Sequence, residues 1–102
     1  MQFVVESFRE AFSNALTELG KSIDELMVLD ADVAFSTGTL PFAKLFPRRF
    51  IEVGISEQDL VGTAAGLALA GKIPVVSAFS MFLLRAWEQI RNTVARDKLN
   101  VK

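Results

Sequence analysis

The chain has 102 residues and 51% of them are apolar, which suits one small domain over residues 1–102 with a modest core. Eleven basic residues against twelve acidic ones leave no strong field, which argues against nucleic acid or an anionic membrane as a partner. With neither cysteine nor histidine, a disulfide framework and a conventional zinc site are excluded. The opening MQFVVESFRE does not resemble a secretory leader, and the longest uncharged run is too short to span a bilayer. We therefore expect a soluble, cytoplasmic protein.

The first predicted elements are a helix and a buried strand. Ser7 and Glu10 have the spacing of a capping box, and apolar residues then recur at helical intervals until Gly20. This pattern predicts a helix from Phe8 to Leu19. A short apolar run closed by acidic residues then predicts a strand over residues 26–29.

The middle of the chain is predicted to be a surface loop that leads into a second strand and helix. Glycine and two prolines interrupt the stretch FSTGTLPFAKLFPRRF, which leaves room for one helical turn at residues 42–45. Its paired arginines, Arg48 and Arg49, are expected to be solvated. The strand RFIEV follows, and Ser56 with Asp59 has the spacing of a second capping box.

The last third of the chain predicts a strand, a helix and the opening of another strand. PVVSAF is typical of a buried strand, and a helix is predicted over residues 81–97. Its apolar stripe is expected to be core and consists of Leu83, Trp87, Ile90 and Val94. The final NVK resembles the start of a fourth strand. Alternation of strands and helices predicts an α/β fold, a parallel sheet with helices on both faces.

Glu57 is the candidate functional residue that the pattern itself singles out. It lies where a strand turns into a helix, the place where open parallel sheets bind ligands. An acidic residue in a first helical turn is also common for structural reasons. However, residues 60–70 have no polar face, so the helix is expected to be buried on all sides. Gly62 and Gly66 allow close approach either by another chain or by the chain's own sheet.

Three stretches of the chain resemble one enzyme family. VLDADVAFST, FPRRFIEVGISEQDLVGTAAGLALAGKIPVVSAFSMFLLRAWEQIRN and LNVK are similar to the pyrimidine-binding domain of transketolase-type thiamine diphosphate enzymes. They most resemble the separately encoded C-terminal subunit of split transketolases. The resemblance implies transfer of two-carbon ketol units between sugar phosphates. A deoxyxylulose-phosphate synthase-like subunit and a catalytically silent domain that acts only in association are the alternatives.

The resemblance also implies roles for five residues. Glu57 matches the glutamate that hydrogen-bonds a ring nitrogen of the aminopyrimidine and promotes ionisation of the thiazolium carbon. Phe79 and Phe82 match aromatics that pack on the aminopyrimidine, although both also suit an ordinary core. Asp32 matches an acidic residue near the cofactor, but is equally typical of a turn. Ser36 matches a hydroxyl residue that contacts sugar phosphate in some transketolases.

The chain departs from the family pattern in ways that imply a partner. The Gly-Asp-Gly element and the asparagine that hold metal and diphosphate are absent, so Mg²⁺ is expected on a partner subunit or domain in a homo- or hetero-oligomer. The later strands of the domain and the histidines typical of sugar-phosphate sites are absent too. The resemblance therefore implies an incomplete domain that is inactive alone.

Overall fold

The computed structural model describes residues 3–102, which form a three-stranded parallel sheet packed between helices. The strands lie in the order β2–β1–β3, and Val28 of the central strand lies opposite Phe50 and Val75. The regular elements are α1 (Phe8–Ser22), β1 (Leu26–Asp30), α2 (Ala34–Thr37), α3 (Leu40–Leu45), β2 (Phe50–Glu52), α4 (Glu57–Leu69), β3 (Ile73–Ser77) and α5 (Ser80–Leu83). Among the described residues, no helix has both the length and the apolarity needed to cross a membrane.

The sheet has a hydrophobic core on each face, which confirms the predicted α/β arrangement. Leu26 and Val28 pack with residues of α1 and α3. Met27 and Leu29, which point the other way because side chains alternate along a strand, pack with residues of α4. All five residues of β1 are buried, as expected for the central strand of a parallel sheet.

Helix α1 begins as the sequence predicts and ends later. The capping box is formed: the Ser7 hydroxyl accepts the Glu10 N–H at 3.1 Å, and the Glu10 carboxylate accepts the Ser7 N–H at 3.3 Å. Gly20 does not end the helix but lies within it. Its missing side chain has a packing role, because a Cβ there would lie 2.7 Å from the Phe46 ring and 2.8 Å from the Phe42 ring.

The predicted surface loop is wrong, since residues 34–45 are mostly helical and two of them are fully buried. Thr39 and Phe42 have no exposed surface. Phe42 fills the core beside α1, while Thr39 donates its hydroxyl to Asp30 at 2.9 Å. Arg49 is not simply solvated either. It donates to backbone carbonyls at the end of α1, reaching Gly20 at 2.7 Å.

Helix α4 differs from its prediction in its cap and in its burial. Ser56 precedes the helix but its side chain makes no capping bond, and the Asp59 carboxylate instead accepts the Thr63 hydroxyl at 3.2 Å. The predicted second capping box is therefore wrong. The helix is also not buried on all sides, because it packs against the sheet and against residues 80–95 but leaves part of its surface uncovered. Gly66 and Leu69 are exposed, Leu69 by 73%.

The last helical region, which we call the C-terminal helical segment (residues 80–95), changes type along its length. It runs from α5 through a 3-10 turn at Leu84–Ala86 to a π-helix at Gln89–Ala95. Trp87 is 62% exposed, so its predicted place in the core stripe is wrong, whereas Leu83 packs against the core. Beyond it, Lys102 donates to the Pro74 carbonyl and accepts from the Val76 N–H, as a parallel strand beside β3 would.

Candidate functional site

The segments that follow the three strands meet at one edge of the sheet and enclose a cleft of about 250 Å³. We call it the central cleft. Because β1 lies between β2 and β3, the residues after each strand are brought together. Its lining includes Asp32 after β1, Ile55 and Glu57 after β2, and Phe82 and Arg85 after β3. The structure therefore unites three of the sequence-predicted site residues: Asp32, Glu57 and Phe82.

Glu57 is the first residue of α4 and is buried, with 4% of its surface exposed. Arg85 Nη1 donates to its Oε1 at 3.3 Å, and the guanidinium carbon of Arg85 lies 5.4 Å from the centre of the Phe82 ring. Among the described residues, hydrogen bonding to this carboxylate involves Oε1 alone. The site thus holds a carboxylate in an apolar wall with a cation on one oxygen and the other oxygen available.

Arg85 is itself held by several contacts although 62% of its side chain is exposed. Gln58, the next residue of α4, donates its side-chain amide to the Arg85 carbonyl at 3.1 Å. The guanidinium thus joins the C-terminal helical segment to the start of α4. No sequence pattern predicts this role, because Arg85 lies outside the apolar stripe, where a basic residue is expected on the surface.

Phe79 and Phe82 form a stacked pair that separates two cavities. Their ring centres are 5.3 Å apart and the ring planes differ by 12°. Phe82 lines the central cleft, whereas Phe79 lines a neighbouring groove of about 440 Å³. Phe79 therefore does not line the cleft that contains Glu57. It packs against the Phe82 ring and so supports it.

The neighbouring groove, which we call the α1 groove, contains the remaining predicted site residue. Ser36 lines it together with Arg9 of α1, Ser77 at the end of β3 and Phe79. Ser36 is therefore not part of the central cleft. A cation and two hydroxyls around one groove are groups that bind phosphate. Arg9 has no distinguishing sequence signal, since charged residues are common on the exposed side of a helix.

Two carboxylates that were not predicted as site residues, Asp30 and Glu52, shape the loop after β1. Asp30 is fully buried, and its oxygens accept the Val33 N–H at 2.7 Å and the hydroxyls of Thr37 at 2.8 Å and Thr39 at 2.9 Å. Asp32 has a left-handed backbone (φ 62°), and its N–H donates to Glu52 at 2.7 Å. The one available signal was an acidic residue at the end of a buried strand, followed by hydroxyl residues.

A parallel sheet covered on both faces, with a ligand-sized cleft where its strands end, defines an α/β ligand-binding domain. The chain matches the family model of the transketolase pyrimidine-binding domain over residues 6–102. It therefore belongs to that family, as its sequence motifs predict. The structure resembles a solved split-gene transketolase, an inactive β4 tetramer, with a TM-score of 0.82 and 53% identity over 91% of this chain and 31% of that one.

Curated relatives extend the comparison. The chain is 54% identical over 100 residues to a transketolase C-terminal section from Methanocaldococcus jannaschii, covering 97% of this chain and 32% of that protein. It is 42% identical over 95 residues to 1-deoxy-D-xylulose-5-phosphate synthase from Desulforudis audaxviator, covering 93% and 15%. The chain thus spans about a third or less of these relatives. Transketolases and 1-deoxy-D-xylulose-5-phosphate synthases use thiamine diphosphate.

Proposed function

We propose that this chain supplies the aminopyrimidine-binding half of a thiamine diphosphate site in a transketolase. The diphosphate and Mg²⁺ are held by a partner subunit or domain, and the assembled enzyme transfers two-carbon ketol units between sugar phosphates in the cytoplasm. The observation that carries the proposal is Glu57, a carboxylate with 4% exposure beside the Phe82 ring in the central cleft.

The residues of the central cleft fit an aminopyrimidine. Phe82 lines the cleft with an aromatic ring, against which a flat ring can pack. Glu57 has one oxygen that no described residue bonds, and it can hold a proton against a ring nitrogen. Its low exposure limits contact with water, which strengthens that hydrogen bond. When bound, thiamine diphosphate supplies the carbanion chemistry, and the protein supplies orientation and electrostatics.

The α1 groove fits the phosphorylated end of a sugar. Arg9 and Ser36 lie on the same groove, so positive charge and a hydroxyl donor are available to one phosphate. Phe79 lines this groove while Phe82 lines the central cleft, so the stacked pair links the two cavities. This arrangement supports Ser36 as a substrate-binding residue and adds Arg9 to it. Asp32 lies at the rim of the central cleft, in support of its place near the cofactor.

The outer side of α4 fits an approaching partner chain. A Cβ added at Gly62 or Gly66 would meet nothing within 4 Å, so the chain's own sheet is not what these glycines accommodate. Leu69 on the same helix and Leu84 and Trp87 on the C-terminal helical segment are exposed by 73%, 69% and 62%. Exposed apolar surface of this kind marks protein contacts. It supports association with a partner subunit or another copy of the chain.

A deoxyxylulose-phosphate synthase-like activity is the second candidate, favoured by the 42% identity to such a synthase. A catalytically silent domain that only associates is the third. The three are separated by assaying ketol transfer and 1-deoxyxylulose 5-phosphate formation in the same preparation. The chain is co-produced with a subunit that carries the diphosphate and metal site.

The decisive variants are Glu57→Ala and Glu57→Gln in that complex. We expect each to lower the rate by about 10²-fold or more, because neither side chain can transfer a proton to the ring nitrogen. Asp59→Asn is the matched control, since it removes an exposed carboxylate from the same helical turn and is expected to retain full activity. A fully active Glu57→Ala complex, or the absence of thiamine-dependent activity in the unaltered complex, would refute the proposed function.

A further inference from the structure

One carboxylate oxygen joins the loops that follow β1 and β2. Glu52 Oε1 accepts the N–H of Asp32 at 2.7 Å and the N–H of Gly54 at 2.8 Å. Asp32 lines the central cleft, and Gly54 is three residues before Glu57. A single side chain therefore joins the two loops that carry Asp32 and Glu57, both of which line the cleft.

Both loops need this support because each has an unusual backbone at the point of contact. Asp32 has φ 62° and Gly54 has φ 76°, both in the left-handed region. For a residue with a side chain that region is unfavourable, and it persists only where the surroundings hold it. Glu52 supplies a charged acceptor at each of these two points, and charge-assisted hydrogen bonds are the stronger kind.

The N–H donors of the loop after β1 also offset a repulsion between two carboxylates. Asp30 and Glu52 are neighbours in register on adjacent strands, where two like charges repel. Two successive N–H groups of the loop after β1 donate to different carboxylates: the N–H of Asp32 donates to Glu52, and the N–H of Val33 donates to Asp30. The two carboxylates thus hold the β1 loop from both sides, Asp30 from the buried side and Glu52 from the exposed side.

We propose that Glu52 is a positioning residue that sets the width of the central cleft by holding Asp32 and Gly54. The proposal rests on the function proposed above, because the cleft is taken as the cofactor site. Glu52 is exposed and belongs to neither core cluster, and β2 is paired to β1 by its backbone. Its loss therefore leaves the fold in place and alters the loops.

The test uses Glu52→Ala and Glu52→Gln in the complex with the diphosphate-binding subunit. We expect Glu52→Ala to raise the thiamine diphosphate concentration for half-maximal activity by about tenfold, which corresponds to the loss of one net hydrogen bond. Glu52→Gln keeps an oxygen that accepts both N–H groups and removes the repulsion with Asp30. We expect it to stay within about threefold of the unaltered complex.

Amide hydrogen exchange of the chain without cofactor tests the hydrogen bonds independently of any activity. We expect exchange at Asp32 and Gly54 to accelerate by about tenfold or more in Glu52→Ala and to stay slow in Glu52→Gln. Ile73→Ala is the control for general destabilisation, because Ile73 begins β3 at the opposite edge of the sheet. It should lower Tm without raising the half-saturating cofactor concentration.

The outcomes separate this proposal from the proposed function. If the unaltered complex shows no thiamine-dependent activity, the proposed function fails and the positioning role falls with it. If the unaltered complex is active and Glu52→Ala saturates at the same cofactor concentration, only the role of Glu52 is overturned. Equal exchange rates in the three proteins, or an equal cofactor effect in Ile73→Ala, would also overturn it.

Discussion

At the scale of single residues, the carboxylates of this domain differ in how completely the protein satisfies them. Asp30 accepts three hydrogen bonds and has no exposed surface, so it has nothing left to offer a ligand. Glu57 is nearly as buried but has one ion-pair partner on one oxygen. A buried acidic group that the fold leaves partly unsatisfied is what a binding site requires, whereas a fully satisfied one is structural. Burial alone would not separate the two.

The structural role of Asp30 gives a quantitative prediction. Asp30→Ala leaves one N–H and two hydroxyls without their acceptor in a buried place, and we expect a loss of about 3 kcal/mol in the free energy of unfolding. Denaturant unfolding measures this. Asp32→Asn is the control, because Asp32 is exposed and asparagine tolerates the left-handed backbone; its effect should be about 0.5 kcal/mol or less. A loss below about 1 kcal/mol in Asp30→Ala would contradict the role given to it.

At the scale of elements, two glycines in helices have opposite surroundings and should respond oppositely to the same change. Gly20→Ala places a methyl group against the Phe42 and Phe46 rings, and we expect it to destabilise the protein by about 1–3 kcal/mol. Gly66→Ala meets open space, so the better helix propensity of alanine should stabilise the isolated chain by about 0.5–1 kcal/mol. Thermal and denaturant unfolding of both variants checks the contrast. Shifts of the same sign would refute this account of α1–α3 packing.

The elements also explain how far the sequence predicts the fold. Local signals identified α1, the three strands and α4, because a cap, an apolar run or a glycine lies within a few residues of each boundary. The helical region 34–45 was missed because its order comes from Thr39 bonding to Asp30 and Phe42 entering the core, which are tertiary contacts. Trp87 was misplaced because the helix type changes around it, which alters the spacing of the apolar stripe.

The same distinction between local and distant contacts decides which site residues the sequence predicts. Glu57 was predicted because a strand-to-helix turn is visible in the sequence, and Phe82 and Asp32 because the family motifs include them. Arg85 and Glu52 were missed since the Arg85–Glu57 contact spans 28 residues and the Glu52–Asp32 contact spans 20. Separations of that size carry no pattern in a single sequence.

At the scale of the whole molecule, the domain presents a cleft on one edge and uncovered surface on one side. The sheet-facing side of α4 is buried while its outer side is exposed, so the helix that begins with Glu57 connects the cleft to the exposed side. A partner chain on the outer side of α4 would lie close to the cleft. A single partner chain bound to the outer side of α4 could therefore both cover the exposed surface and supply the proposed second half of the cofactor site.

This requirement predicts that added bulk on the outer side of α4 affects assembly rather than folding. A Cβ at Gly66 meets nothing within 4 Å and the position is exposed, so Gly66→Leu should leave the stability of the isolated chain intact, while the complex with the diphosphate-binding subunit should weaken by about tenfold or more in Kd. Sedimentation velocity of the co-produced subunits measures the loss, and ketol transfer should fall in parallel. Glu18→Leu adds the same bulk at an exposed position of α1, on the other face of the sheet, and should leave the complex intact. A Gly66→Leu complex as tight and active as the unaltered one would place the partner elsewhere and separate the cofactor site from the outer side of α4.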